Sequence, residues 1–473
     1  MKIPKSIIAA ILISAAIRIT ILLQTNTVTY GGYQELTHIQ HIAETGLPRI
    51  TDPDAWLGAE YSLQQLYHYL AAFLTILVTP TTAALLLTNL AALTIPLISY
   101  YLAKEVTTSY NAPAIIALAS AFTPLLYRET TLTASPLALA IPLLLAAYYY
   151  FLRLGKTPRD QKLFILTTIA LTATHPISLL LPVAMTITLI LQRVQAITFQ
   201  QPMAEATLFT AFFALWGNLL ANNQLLQNHG LTALINPATT TGLAQAVTAT
   251  GLLVLLAATY AASNYLKQET SQSAHALTAL AFTALAATIL RLLPQETGLL
   301  LFSLALLPIA AGAIERYQKS KHQSRAPSLY TLGAALLTLI FLTTSAVPAI
   351  SLGYDRVTDT PTLHEQQLIQ ELSDAPRLKT HWDARRGDYL RYHQFPVATT
   401  NNALASAQAT TINQELAELE TANNPVRYIQ LLTKQNIRYI ILEEGHNAPI
   451  TDRCFSQLPT TNYEVYRLTC VVN

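Results

Sequence analysis

The chain has 473 residues, 52% of them hydrophobic and only 11% charged. That composition cannot clothe a globule in a water-soluble surface and places the chain among polytopic α-helical membrane proteins. A net charge of +2, with Lys and Arg thinly spread and no basic stripe, excludes nucleic acid as a partner.

The first apolar segment, residues 4–23, follows Lys2 and Lys5. At about 20 residues, with Arg18 inside and no small-residue cleavage site, it reads as a retained anchor. A polar outward loop, residues 24–80, comes next, and its stretch Tyr30–Tyr69 holds Glu35, Glu44, Asp52, Asp54 and Glu60. Within it, Leu36, Ile39 and Ala43 share one helical face, which predicts an amphipathic helix at the membrane surface. Glu35, His38 and His41 follow at steps of three. A partly desolvated carboxylate there suits a general base for a substrate hydroxyl; a solvated helix face is the plainer reading of the same residues. The spacing drifts around the helix and fixes no fourth ligand, so a metal site on these three is disfavoured.

Further apolar spans are expected at 81–103, 112–127, 136–152, 163–175, 177–192, 206–222, 241–264, 275–291, 297–314 and 329–350. With 4–23 they make about eleven transmembrane helices. The apolar stretch 63–78 is excluded from the count, because Gln64, Gln65, Tyr67, His68 and Tyr69 crowd its start as in an interfacial or re-entrant helix. With that choice Lys104, the Arg153–Lys162 loop, Arg193, Lys267 and the Arg316–Arg325 loop all fall on the side of Lys2 and Lys5, and only Arg49, Arg128 and Arg291 lie opposite. The bias predicts a plasma-membrane protein with a cytoplasmic N-terminus and an extracytoplasmic C-terminal domain. The two short spans joined at His175-Pro176 are expected to meet in a depression rather than at the full membrane surface.

The composition changes after Ile350. Residues 354–473 hold 25 of the chain's 54 charged residues, which marks an α/β soluble domain after a transmembrane domain at 1–353. Helices are expected at 362–373 and 413–421, strand-like segments near 376–382 and 395–399, then a helix-to-strand unit in PVRYIQLLTKQNIRYIILEE and a final strand in YEVYRLTCVV. An external location permits a disulfide between Cys454 and Cys470, the only cysteines; two unpaired thiols are the alternative. No Walker loop, GxGxxG, CxxC, HExxH or GxSxG occurs, which removes the common nucleotide, structural-zinc and serine-hydrolase readings.

Tyr33, Ile42-x-x-x-Gly46-x-Pro48, Asp52-Pro53, Tyr61 and Tyr67-His68-Tyr69-Leu70 follow an order that resembles the GT-C membrane glycosyltransferases, in particular the archaeal oligosaccharyltransferase-related type. The resemblance implies a GT-C-like bundle, a polyprenyl-phosphate-linked sugar as partner, and a catalytic acidic residue in the first outward loop. The family's Asp, two residues before the Tyr, is Gly31 here, and Glu35 is the nearest carboxylate. Glu35, or else Asp54, would then deprotonate the acceptor. The resemblance also implies a divalent cation, magnesium or manganese, with Glu129 of the second outward loop as a ligand; a helix-end ion pair is the plainer reading of Arg128-Glu129. His175 and Arg291 would face the donor phosphate, or else be a packed histidine and a snorkelling arginine. His381-Trp382-Asp383 with Tyr389-Leu390 is similar to the Trp-Trp-Asp region of the family and implies a strand-and-turn there.

The function expected is sugar transfer from a polyprenyl-phosphate-linked donor to an acceptor at the outer membrane face. The alternative is a catalytically degenerate relative that binds glycolipid or scaffolds a surface-glycan complex. A transporter fits less well, since apart from Arg18 the inner spans lack charged pairs and no inverted repeat is visible.

Overall fold

The computed structural model describes residues 4–25, 27–48, 51–52, 59–60, 64–109, 111–194, 201–221, 256–257, 259–260, 263, 272–323, 335–372, 380–382, 384–393, 424–434, 436–442, 450, 454–461 and 463–470. They fall into two compact units. One takes in the described residues of 1–26, 63–223 and 234–357, and the other those of 27–62 and 358–473.

The first unit is all helical. Helix α1 is Lys5–Leu22; α2, Gly32–Thr45, belongs to the other unit. Then follow α3 (Leu66–Leu74), α4 (Pro80–Val106), α5 (Ala112–Ala121), α6 (Pro124–Thr130), α7 (Pro136–Leu152) and α8 (Pro158–Thr174). A 3₁₀ turn at Pro176–Leu179 leads into α9 (Leu180–Val194), and α10 (Gln201–Ala221), α11 (Gln272–Ile289) and α12 (Gln295–Gln323) come after it. The last is α13, residues 335–355. Helices α4 to α8 each open on a proline in the first two positions, where its missing N–H costs nothing. Thr79 and Thr157 cap α4 and α8 by accepting from the N–H of Thr82 and Asp160.

Among the described residues seven helical stretches are long and apolar enough to cross a membrane, and α5 and α7 are shorter apolar helices. Leu12, Ile19, Leu166, Leu208 and Phe212 stay exposed on their outer faces, as lipid-facing residues do. This is a multi-pass membrane protein. Helix α3, nine residues or roughly 14 Å of rise, is too short to cross. The span expected at 112–127 is not one helix: the chain breaks at Phe122-Thr123, and Pro124 starts a separate helix, α6. Most of the span expected at 241–264 lies outside the described residues. Helix α13 carries a π-turn at Leu342–Ala346, just before Pro348, whose ring cannot follow a regular turn. The hydroxyls of Thr343 and Thr344 donate back to the carbonyls of Leu339 and Ile340.

The core of the bundle is built largely from alanine and leucine on α4, α7, α9, α11 and α12, small residues that let helices approach closely where lipid supplies no hydrophobic drive. Gly298 marks the tightest approach: a Cβ there would collide with the Thr288 side chain.

The second unit joins α2 to the C-terminal domain. Strands β1 (Thr51–Asp52) and β2 (Ala59–Glu60) pair antiparallel. Helix α14 is Leu363–Leu372, β3 is Thr380–His381, α15 is Ala384–Tyr392 and α16 is Pro425–Lys434. Strands β4 (Tyr439–Leu442), β5 (Phe455–Leu458) and β6 (Glu464–Leu468) complete a four-stranded sheet of order β3-β4-β6-β5. Only the β3–β4 pair is parallel. Tyr428, Ile429, Leu431 and Leu432 of α16 pack on Ile440, Leu442, Phe455 and Leu468. Cys454 and Cys470 form a disulfide across the β5–β6 hairpin, with Cα atoms 4.8 Å apart. The expected helix at 413–421 and strand at 395–399 lie outside the described residues. After Trp382 the chain forms α15, which places Tyr389 and Leu390 on a buried helix face; the strand and turn expected to follow, at 396–402, lie outside the described residues.

Candidate functional site

In the first unit a polar cluster forms around α6. Leu125 and Leu126 anchor this seven-residue helix in the bundle core, and Tyr127 packs with Ile21, Phe122 and Ala349. Arg128 and Glu129 thereby meet two partners distant in sequence. Arg128 Nη2 lies 2.6 Å from Glu296 Oε1, on the first turn of α12. Arg356 Nη2 lies 3.7 Å from Glu129 Oε1, a charge contact too long for a hydrogen bond. Arg356 Nε donates to the Arg128 carbonyl at 2.8 Å. Burial pushes the Glu129 carboxyl up, Arg356 draws it down and Glu296 pushes it up again, leaving it at about 7.

Arg18 holds the chain just beyond α6. It is 1% exposed and donates through Nη1 to Asn89 Oδ1 at 3.0 Å and to Thr131 Oγ1 at 3.4 Å. Its guanidinium lies over the Tyr127 ring at 4.5 Å, and the Tyr127 hydroxyl meets Ser14 Oγ at 3.0 Å. None of the described carboxylates pairs with Arg18. Leu132 follows Thr131 at φ 58°, a left-handed conformation that a bulky residue rarely adopts and that marks local strain.

His175 sits at the junction of α8 and the 3₁₀ turn, where Nδ1 accepts from the Ile177 N–H at 3.1 Å. In the neutral ring that bond leaves the proton on Nε2. Nearby, Gln64 Nε2 donates to the Thr172 carbonyl and to Asn218 Oδ1, and Asn218 Nδ2 donates to Ser178 Oγ. Arg291 is exposed in the turn between α11 and α12, at φ 58°. The N–H of Leu292 donates to the Ala287 carbonyl and that of Arg291 to Thr288, the pattern of a helix stop that glycine usually fills.

In the second unit Glu35 lies in the first turn of α2 and is partly exposed. The helix stops where Gly46 turns left-handed at φ 75° and donates to the Ile42 carbonyl, which explains the Ile-x-x-x-Gly spacing. The buried residues are Gly32, Tyr33, Leu36, His38, Ile39 and Ile42; Ala43, expected on the apolar face, is exposed. Gly31 is the N-cap, at φ −63°, with nothing within 4 Å of the position a Cβ would take. Asp54 lies outside the described residues.

The start of α2 is gripped by the C-terminal domain. Tyr30 donates its N–H to the Asp359 carbonyl and its hydroxyl to Glu365 Oε2 at 2.5 Å. Glu365, fully buried, also accepts from the Thr362 N–H at 2.6 Å and from Arg386 Nε. The Arg386 guanidinium faces the rings of Tyr30 and Trp382 at 5.6 and 5.3 Å. Tyr33 meets Tyr389 and Tyr392 edge-on at 4.8 and 5.2 Å. Burial and then the bond to Glu365 push the Tyr30 phenol up, so it remains the proton donor.

Of the sequence candidates, the described contacts gather Glu129 with Arg128; Arg291 and His175 belong to separate turns. Glu296, Arg356, Glu365 and Arg386 were not anticipated. For Glu365 a signal was present: Thr362-Leu-His-Glu365 is a capping box, and Thr362 Oγ1 accepts from the Glu365 N–H in return. The donor set at Glu129 does not fit a resident magnesium or manganese. Glu129 and Glu296 each face a guanidinium, whose positive charge opposes a divalent cation at the same oxygens, and among the described residues no three His, Cys, Asp or Glu gather.

No family model and no curated protein matches the sequence. Solved structures do share the fold. The Archaeoglobus fulgidus oligosaccharyltransferase, solved with a tethered acceptor peptide containing the NVT sequon, is 14% identical with a TM-score of 0.67, over 92% of this chain and 69% of that one; another structure of it holds Zn and sulfate. ArnT from Cupriavidus metallidurans, bound to undecaprenyl phosphate, is 12% identical with a TM-score of 0.57 over 97% of both chains. The mycobacterial arabinofuranosyltransferase AftD is 13% identical with a TM-score of 0.61, over 98% of this chain and 40% of that one. The chain has the GT-C fold.

Proposed function

We propose that this protein is a membrane glycosyltransferase that moves a sugar from a polyprenyl-phosphate-linked donor to an acceptor hydroxyl or amide. The observation that carries the reading is a GT-C fold running through nearly the whole chain, shared with proteins solved with an acceptor peptide or with undecaprenyl phosphate. In this reading the basic turn at Arg153–Lys162 is the cytoplasmic end of the bundle, because Lys and Arg are favoured on that side. The α6 end and the C-terminal domain then work outside.

In this scheme Glu35, partly exposed on the first turn of α2, takes the acceptor proton, with Asp54 as the second candidate base. His175 offers Nε2–H, and Arg291 a guanidinium, to the phosphate that leaves with the lipid. Arg128, Glu129, Glu296 and Arg356 form a nearly neutral, mutually paired frame around α6. The test is transfer of labelled sugar from a purified polyprenyl-phosphate donor series. Loss of transfer in Glu35→Gln supports the assignment; unchanged transfer in Glu35→Gln combined with Asp54→Asn removes it.

Gly31 favours a second reading, a degenerate relative that retains glycolipid binding without turnover. Saturable donor binding with no transfer to any acceptor would select it.

A further inference from the structure

A cavity of about 460 Å³ lies in the helix bundle between the turn after α7 and the first turns of α8 and α10. Helix α7 runs from the α6 side to this turn, so its 17 residues put the cavity roughly 26 Å from the α6 cluster. Gly155, at φ 83°, makes the turn that brings Lys156 to its rim.

The lining divides by chemistry. Phe164, Ile165 and Phe209 form an apolar floor, and Lys156, Gln161 and Glu205 the polar edge. Ile165 and Phe209 are exposed beside Leu166, Leu208 and Phe212, so the apolar side opens toward lipid chains. The polar edge sits in the basic turn. Lys156 and Arg153 are paired with Glu105, and Arg153 also with Asp160. Arg159 and Lys162 are exposed with no carboxylate partner among the described residues, and Lys162 stands one turn from both Pro158 and Ile165 of the lining. Glu205 accepts from Gln201 Nε2 at 2.7 Å on the opposite wall.

We infer that this cavity binds one anionic phospholipid, an acyl chain over Phe164, Ile165 and Phe209 and the phosphodiester at the Lys156 and Lys162 edge, with Arg159 adding positive charge from the first turn of α8. A water-soluble anion would leave the apolar floor bare, and an uncharged lipid would forgo the attraction of the exposed cations beside it. The site stands apart from the donor chemistry and does not depend on it.

The test places a reporter in the floor. Full-length Phe209→Trp protein is reconstituted in phosphatidylcholine bilayers doped at equal mole fraction with brominated phosphatidylglycerol or brominated phosphatidylcholine. The added Trp fluorescence should be quenched preferentially by phosphatidylglycerol. Removing one cation, in Arg159→Gln or Lys162→Gln, should weaken that preference by about fivefold, and Glu205→Gln should strengthen it. Native mass spectrometry of the unmodified chain should find phosphatidylglycerol retained through detergent exchange. Equal quenching by the two lipids, charge variants without effect, or retention of polyprenyl phosphate in place of phosphatidylglycerol would each overturn the assignment.

Discussion

Replacing Glu365 by glutamine isolates one charge in the grip on α2. Glutamine keeps the size and can still accept from the Thr362 N–H, so the capping box survives. The carboxylate that faces Arg386 and the Tyr30 hydroxyl does not survive. Glu365 is 0% exposed and the Arg386 side chain 20% exposed. Breaking a buried ion pair from one side costs about 3–5 kcal/mol, and the partial exposure of Arg386 argues for the lower end, about 3 kcal/mol. Because α2 starts two residues after Tyr30, the loss should appear there first. Hydrogen exchange of the purified full chain should show protection of residues 32–45 falling by roughly 100-fold, since each 1.4 kcal/mol is a factor of ten. Arg386→Met combined with Glu365→Gln should recover part of the loss, giving a coupling of about 1–3 kcal/mol. Unchanged α2 exchange, or two additive single losses, would refute the argument that this pair holds the helix.

Arg291→Gly relieves a left-handed arginine and should raise stability by about 1 kcal/mol in chemical denaturation while lowering sugar transfer; a stable variant with full transfer would leave Arg291 only its turn. The Glu129 carboxyl, raised from 4.5 to about 7, keeps its proton in the folded state longer than in the unfolded chain. Its contribution is therefore fully present below 4.5 and lost as pH rises toward 7; melting curves across that window should show a decline that Glu129→Gln flattens, and an unchanged slope would contradict it. Gly31→Asp should fold normally, because its φ is negative and the space around it is open. It should restore transfer to Glu35→Gln while changing the wild-type rate by less than about tenfold; a wild-type gain of about 100-fold would mean that the native chain lacks its base.

The grip on α2 also shows why some of the site escaped a linear reading. Glu365 was visible as a helix cap from Thr362-x-x-Glu, but its pairing with Arg386 and with Tyr30, 335 positions away, is a property of folded packing. Arg18 was conspicuous as a charge in an apolar span, yet its partners Asn89, Tyr127 and Thr131 come from two other elements.

The amino-acid order by itself determined what depends on neighbours a few positions apart. Apolar runs defined the spans, Gly46 stopped α2, prolines opened α4 to α8, and two late cysteines stood where a hairpin could join them. Tertiary structure decided what depends on which surfaces meet. It divided the apolar run 112–127 so that Arg128 and Glu129 face Glu296 and Arg356, and it turned Ile42 rather than Ala43 inward on α2. It also joined the outward-loop helix to the C-terminal domain in one unit. The reason is physical: hydrophobic period and turn chemistry act over one or two helical turns, whereas a buried charge takes its partners from whatever element packs against it.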